Sequence, residues 1–338
     1  MSCWLWFFGG VVVLVLAIRW LYSTPTGPAQ AARGSIFVTG CDSGMGLVSA
    51  ERLAAKGFRV FFGCYLRESV ARVDALRDSR CVGVQIDVTN DASVAAAVAH
   101  VEAQLRASAE SGARDDAALV GIVNCAGVAF EGPAEYFPME LFQRQLDVNL
   151  LGYVRTTQAF FPLLKRGVAA AGRRGRVVLV GTGGGVPAAM PATIGAYMAS
   201  KWGVEAWMQA LRQELNLRGV PIDVTVINPG TIKPTGLMDN GKANLERAWK
   251  LMPGAARDEY GDMLDAFVRW GEAEKGTPPS AIADAMERAM TDFRTPLRYK
   301  VGPDSQAAPF AGLAPTWLRE FAIRKTVFAS YKPKPYVA

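Results

Sequence analysis

Short runs of consecutive apolar, often β-branched residues alternate along the chain with longer stretches whose apolar positions recur at helical spacing. The runs are Ser35 to Thr39, Arg59 to Cys64, Val82 to Asp87, Leu119 to Val123, Arg176 to Val180 and Ile222 to Ile227. Between them, Leu47 to Lys56, Ser93 to Leu105 and Met139 to Leu164 carry an amphipathic pattern. A strand wetted on one face would alternate apolar and polar positions, and these runs do not. Near-continuous apolar strands separated by helices predict a parallel sheet covered on both faces.

That pattern is the doubly wound, Rossmann-like α/β fold, expected here over residues 35–310. Two segments break the rhythm. Residues 233 to about 275 carry Trp249, Met252, Tyr260, Met263, Phe267 and Trp270, and they predict a helical insertion that lies over the site as a lid. Residues 311–338 form a basic and aromatic tail, in which Trp317, Phe321, Ile323 and Phe328 are interspersed with Arg319, Arg324 and Lys325. Such a tail suits an acidic membrane surface or a partner subunit.

The N-terminus changes the picture of a water-soluble chain. From Cys3 to Tyr22 only Arg19 is charged, and this length suffices to cross a bilayer as a helix. Trp4, Trp6, Trp20 and Tyr22 suit the interfaces, and Arg19 lies where it can snorkel. A cleaved secretory signal, with Ala29 to Ala31 as its processing site, is the alternative. The lack of Lys or Arg before the apolar run and the length of that run weigh against it. Residues 1–22 are therefore expected to be a transmembrane anchor and residues 23–34 a Pro/Gly-containing linker. Arg19 and Arg33 follow the span and favour a catalytic domain facing the cytosol, as on the endoplasmic reticulum. No acidic residue precedes Asp42, which keeps a mitochondrial membrane open.

Composition adds exclusions. A chain of 338 residues, half of them hydrophobic, can bury a large core. The net charge of +6 is spread along the chain, with no basic module for nucleic acid. Cys3, Cys41, Cys64, Cys81 and Cys125 lack paired or metal-like spacing, and His100 is the sole histidine, so the thiols are expected to be reduced and mostly packed, with no zinc site.

The chemistry concentrates at two places. The first strand runs into TGCDSGMG, where Gly40, Gly44 and Gly46 permit a tight turn before a helix whose N-terminal amides can meet a pyrophosphate. Farther on, Tyr197 and Lys201 are four apart and share a helix face. A lysine charge there is expected to stabilise the phenolate and lower the tyrosine pKa. Thr182, amid glycines, is the hydroxyl at the end of the preceding strand, and Thr193 is a second candidate if its loop folds back.

The Gly-x-x-x-Gly-x-Gly spacing followed by Tyr-x-x-x-Lys resembles the short-chain dehydrogenases/reductases. Further motifs follow in order: DVT at Asp87, NCAG at Asn124, DVNLLG at Asp147 and NPGTIKPT at Asn228, so that the resemblance spans roughly residues 35 to 304. It implies a nicotinamide cofactor held by Gly40, Asp42, Ser43, Gly44, Met45, Gly46, Cys64, Asp87, Val88, Asn124, Ala126, Gly127, Pro229, Gly230 and Ile232, together with Tyr197 and Lys201. It also implies Tyr197 as the catalytic acid and base, Lys201 on the nicotinamide ribose, and Asn149 supporting a water that links Lys201 to solvent. Thr182 stands near the family's serine, two residues farther from the tyrosine than the usual interval. Counting back at that interval lands on Gly184. For the cofactor, Cys64 occupies the place of an NAD-selective aspartate, Asp42 opposes a 2′-phosphate and Arg67 attracts one. The balance favours NAD over NADP.

TGCDSGMG, KGFRVFFGCYL, KWGVEAWMQALRQEL, AWKLMPGAARDEYG and TPLRYKVGPDS resemble one branch in particular: retinol dehydrogenases, 17-beta-hydroxysteroid dehydrogenases and membrane-associated D-3-hydroxybutyrate dehydrogenase. This implies a secondary or allylic alcohol or ketone on a hydrophobic molecule, met at a membrane by a homodimer or homotetramer. Two alternatives stay open. Hydroxybutyrate dehydrogenase requires a cationic pocket, for which Arg257 and Lys242 are the candidates. A catalytically weak nucleotide-binding scaffold or sensor fits the missing serine and Cys125.

Overall fold

A computed structural model describes residues 27–113, 115–183, 191–235 and 241–333, with helical positions 10, 12–14, 16 and 17 near the N-terminus. Seven strands form one parallel sheet in the order β3-β2-β1-β4-β5-β6-β7. They are β1 (Ser35–Thr39), β2 (Arg59–Cys64), β3 (Cys81–Gln85), β4 (Leu119–Asn124), β5 (Gly175–Val180), β6 (Ile222–Pro229) and β7 (Arg298–Val301). Every position of β1, β2, β4, β5 and β6 is buried, as their unbroken apolar runs require. The chain order reverses between β1 and β4, and a doubly wound sheet opens a crevice at the carboxyl ends of such strands.

The helices cover both faces. One face packs α1 (Gly44–Lys56), α2 (Arg67–Asp74) and α9 (Pro279–Thr291) around Ile36, Val38, Phe62, Val178 and Met286. The other packs α3 (Asp91–Glu110), α5 (Gly152–Ala171) and α6 (Gly195–Leu217) around Phe37, Phe61, Ile122, Phe160 and Met208. The Phe37 and Phe160 rings stack at 4.1 Å across that interface. Helix α4 (Met139–Leu146) does not run straight into α5: the residues Asp147–Leu151 form a π-helical turn, so the single helix expected from Met139 to Leu164 is interrupted at Asn149. Such turns are rare and gather at functional sites.

Beyond β6, α7 (Gly241–Leu251) and α8 (Gly254–Ala273) fall in the segment expected to be inserted. Ala248, Met252 and Ala256 pack on Phe130 and Leu141, while Ala266 and Phe267 pack on Val327 and Phe328. The chain ends in α10 (Pro303–Ala311) and α11 (Thr316–Thr326), and α11 buries no residue completely. Among the described residues no helix is long and apolar enough to cross a membrane. Most of the expected anchor, residues 1–22, lies outside the described residues. Strand β7 is an addition to the expected sheet.

Candidate functional site

At the crevice, Thr39 closes β1 and its hydroxyl accepts from the Cys125 and Ala126 amides at 3.1 and 3.2 Å, tying the ends of β1 and β4 together. Gly40 follows at φ +75°, and a Cβ there would meet the Ala126 backbone at 2.8 Å. A Cβ at Gly46 would fall 2.2 Å from the Gly40 carbonyl, so α1 can sit on this turn only with glycine at that position. The Ser43 side chain makes no capping hydrogen bond to α1, and the first turn holds no acidic residue. Its amides are thus left for an anion, and they border a cavity of about 310 Å³.

Twelve of the expected site residues line this cavity: Gly40, Asp42, Ser43, Gly44, Met45, Gly46, Asp87, Val88, Ala126, Gly127, Tyr197 and Lys201. The glycine cradle, the uncapped helix start and these carboxylates fit a dinucleotide. Asp42 is fixed with one carboxylate oxygen on the Tyr65 amide and the other on the Leu66 amide, both at 2.9 Å. Asp87 accepts from the Thr89 amide and hydroxyl at 2.9 and 2.7 Å. Of the five expected cofactor residues that do not line it, two turn into the core. Cys64 is wholly buried within the core, and Asn124 is wholly buried with its amide donating to Thr157 Oγ1 at 2.9 Å.

A second cavity of about 570 Å³ adjoins the first, with Ile194, Met198, Phe267 and Trp270 among its apolar lining. Thr182, Pro229, Gly230 and Ile232 line it too. Met45, Tyr197 and Thr235 line both cavities. Burial pushes the Tyr197 phenol up to about 12, and a hydrogen bond with Thr182 pulls it the other way. Thr193 lines neither cavity, and its buried hydroxyl has no hydrogen-bond partner among the described residues. Gly184 lies outside the described residues.

Lys201 differs from expectation. Its ammonium donates to the Val180 carbonyl at 2.9 Å and to the Tyr153 hydroxyl at 3.2 Å, and lies 6.0 Å from the centre of the Tyr197 ring. Burial lowers its pKa to about 8. No depression of the tyrosine pKa by the lysine appears in this geometry: burial raises the phenol, and Thr182 is the group that lowers it. Asn149, in the π turn, accepts from the Val128 amide at 2.9 Å and donates to the Val128 carbonyl at 2.9 Å and to Ser200 Oγ at 3.0 Å. Ser200 in turn donates to the Tyr197 carbonyl at 2.6 Å, so Asn149 braces the turn of α6 that carries Tyr197.

Thr39, Tyr153, Ser200 and Glu131 escaped the motif reading. Thr39 and Ser200 act through backbone contacts that no spacing encodes. Tyr153 lies one residue beyond DVNLLG, and Glu131 lies four beyond NCAG. Of the cysteines, Cys41 and Cys64 are buried, Cys81 and Cys125 are partly buried, and all four are free. Cys3 lies outside the described residues.

The family model described as short chain dehydrogenase matches residues 35–246. Rat (Rattus norvegicus) mitochondrial D-beta-hydroxybutyrate dehydrogenase is 34% identical over 82% of this chain and 79% of its own. Human (Homo sapiens) 17-beta-hydroxysteroid dehydrogenase type 6 is 32% identical over 80% of this chain and 81% of its own. Rat retinol dehydrogenase 7 is 31% identical over 88% and 89%, respectively. Among solved structures, a short chain dehydrogenase/reductase from Burkholderia phymatum in complex with NAD aligns with a TM-score of 0.62 at 20% identity, covering 91% of this chain and 99% of that one. The likeness supports the Rossmann-like fold. The chain belongs to the short-chain dehydrogenase/reductase family and is an oxidoreductase acting on CH–OH groups.

Proposed function

We propose that the protein transfers hydride between NAD(H) and a secondary or allylic alcohol or ketone of a hydrophobic molecule of the steroid or retinoid kind. The observation that carries this reading is that Tyr197 lines both cavities, where a cofactor in one and a substrate in the other would meet. When bound, the nicotinamide ring supplies the carbon that takes or gives the hydride. In oxidation the ionised form of Tyr197 accepts the hydroxyl proton as the hydride leaves the carbinol carbon, and in reduction the protonated phenol gives a proton to the carbonyl oxygen. Thr182 holds the reacting oxygen from the tyrosine's side, in the role of the family serine. Lys201 holds the ribose, and a water beside Asn149 links it to solvent.

NAD is favoured over NADP by Asp42. Its carboxylate is anchored at the end of β2, where it suits a ribose diol and repels a 2′-phosphate. Arg72 is drawn to the Asp42 carbonyl at 2.7 Å, which leaves Arg67 as the competing attraction for a phosphate.

The larger cavity supports a lipid. Its volume falls within the roughly 300–1,000 Å³ of pockets that enclose drug-sized ligands. Helix α8 brings Phe267 and Trp270 to it as the wall of a lid. Hydroxybutyrate, the substrate in the rat relative's name, is the second reading, and both cations expected for it are engaged. Arg257 pairs with Glu246 at 3.4 Å and Lys242 pairs with Glu272 at 2.5 Å.

Membrane attachment through residues 1–22 fits a lipid substrate, and the exposed Val12, Val13, Leu14 and Leu16 suit it. The exposed Phe310, Leu313, Trp317 and Phe321 beside Arg319, Arg324 and Lys325 supply a second contact with an acidic bilayer. Attachment to the endoplasmic reticulum with the catalytic domain in the cytosol follows from the arginine placement; a mitochondrial membrane is the alternative. Phe161, Trp207 and Leu211 on α5 and α6 supply the apolar face for a homodimer or homotetramer.

The test is turnover by detergent-solubilised protein with NAD(H) and NADP(H), each paired with retinol, hydroxysteroid and hydroxybutyrate substrates. Tyr197→Phe should abolish turnover while binding NADH with near-native affinity. Full activity in that variant sinks the proposed role of Tyr197.

A further inference from the structure

Glu131 is a carboxyl group on the wall of the larger cavity, and the chain fixes it there from both sides. The preceding residue is fixed by the Phe130 amide donating to Gln145 Oε1 at 2.9 Å, and the following one by the Gly132 amide donating to the Thr193 carbonyl at 2.8 Å. A Cβ at Gly132 would meet Met252 and Phe137 at 2.7 Å, so this turn is also packed tightly from the side of α7. Between those anchors Glu131 lines the larger cavity together with Thr182 and Tyr197.

Nothing among the described residues neutralises it. The other charged groups of the cavity are committed elsewhere. Lys233 donates to the Gly271, Glu272 and Glu274 carbonyls at the end of α8, Lys242 pairs with Glu272, and Asp304 accepts from the Thr231 and Ser305 amides. Residues 184–190 and 236–240 contain no Lys, Arg or His, so neither segment carries a cation for it. A largely buried carboxyl group kept without a partner costs stability unless something in the working complex completes its hydrogen bonding.

We infer that Glu131 is a specificity-determining residue that hydrogen-bonds a second, neutral oxygen of the substrate besides the reacting one. This deepens the lipid reading and rests on it. The substrate class becomes a hydrophobic diol or hydroxyketone, in preference to a retinoid with one hydroxyl or a short hydroxy acid. Burial pushes the Glu131 carboxyl up to about 7, so near neutrality it presents both a donor and an acceptor, and a second hydroxyl of the substrate can answer either form. A substrate carboxylate would face repulsion from the ionised form and find no compensating cation.

The experiment compares kcat/KM for a steroid diol, the matching mono-alcohol lacking only the second hydroxyl, and D-3-hydroxybutyrate. Wild type, Glu131→Gln and Glu131→Leu are each assayed with NAD, with NADH binding as the check of folding. Wild type should prefer the diol over the mono-alcohol by ~10-fold or more, the value of one hydrogen bond of ordinary strength. Glu131→Leu should erase that preference by losing diol turnover alone, and Glu131→Gln should keep most of it. Equal handling of diol and mono-alcohol by wild type, or an equal loss of both in Glu131→Leu, overturns the inference and leaves the lipid reading standing. Turnover of hydroxybutyrate without turnover of either lipid alcohol overturns both. If no probe is turned over, titration of the NADH complex with the diol and the mono-alcohol decides: tighter diol binding that depends on Glu131 supports the inference, and equal or absent binding overturns it.

Discussion

The Lys201 ammonium is held by Tyr153, whose hydroxyl accepts from it at 3.2 Å while donating to the same Val180 carbonyl that Lys201 contacts. Both side chains are buried, and the lysine lies 5.0 Å over the Tyr153 ring. Burial lowers the lysine pKa to about 8 and holds the Tyr153 phenol well above its ordinary value, so Tyr153 stays neutral and serves as an acceptor.

This geometry predicts a pH signature. In ketone reduction Tyr197 must be protonated, which its pKa of about 12 secures, and the falling alkaline limb then belongs to Lys201 losing its proton near pH 8. Tyr153→Phe removes an acceptor for the charged form, so it should lower the lysine pKa further and move the alkaline limb of kcat/KM to lower pH. Cys125, pushed up to about 11 by burial, titrates too high to produce that limb. An unchanged pH profile in Tyr153→Phe would show that the contact does not set the lysine's charge.

Thr182 and Thr193 make opposite predictions. Thr182 hydrogen-bonds Tyr197 and lines the larger cavity, whereas Thr193 contributes its backbone carbonyl to Gly132 and leaves its hydroxyl unpartnered among the described residues. Thr182→Ala should lower kcat by roughly 100-fold, the usual loss on removing one hydrogen-bond donor to a reacting oxygen. Thr182→Ser should retain most of the rate and Thr193→Ala nearly all of it. Steady-state kinetics on the three variants checks the assignment, and a slow Thr193→Ala with a fast Thr182→Ala would reverse it.

Asp42 sets the third prediction. Neutralising it as Asp42→Asn removes the charge facing a 2′-phosphate and leaves one carboxamide oxygen to accept from one of the two amides, Tyr65 or Leu66. The kcat/KM ratio of NAD to NADP should fall ~10-fold, the scale of one charge interaction near a protein surface. A ratio that does not move would assign discrimination to Arg67 or to another group.

How much of this was legible in the sequence depended on whether a feature is local. Strands β1, β2 and β6 declared themselves because burial on both faces demands unbroken apolar runs. Strand β7 did not, since Arg298 and Lys300 alternate with the buried Tyr299 and Val301 and four residues are too few to establish a period. The glycine turn and the Tyr197–Lys201 pair are short-range patterns with a mechanical reason for their spacing. Asn124 and Cys64 occupy motif positions, yet their side chains turn into the core, and sequence order cannot show which way a side chain points. Glu131 gave no signal at all, because its chamber is assembled from the ends of β5 and β6, the start of α6 and part of α8, remote from one another in the chain.

The last prediction concerns stability away from the site. Arg176 on β5 is fully buried beneath the end of α9, where it donates to the Ala289, Asp292 and Phe293 carbonyls and pairs with Asp223 on β6 at 2.9 Å. Asp223 is itself buried and also receives Arg174 at 2.6 Å. A guanidinium in this position tolerates burial because the carboxylate offsets its charge and the carbonyls fill its donors. Asp223→Asn keeps the shape but leaves Arg176 as an uncompensated charge, and removing one partner of such a pair costs about 3–5 kcal/mol. Because the pair lies at the opposite end of β5 from Val180 and Thr182, the folded fraction of the variant should bind NADH as the parent does. Urea unfolding followed by fluorescence should therefore show a much lower midpoint at unchanged slope, with native cofactor affinity at low urea. A midpoint within experimental error of the parent would mean that these carbonyls and that of Gly175 accommodate Arg176 without the carboxylate.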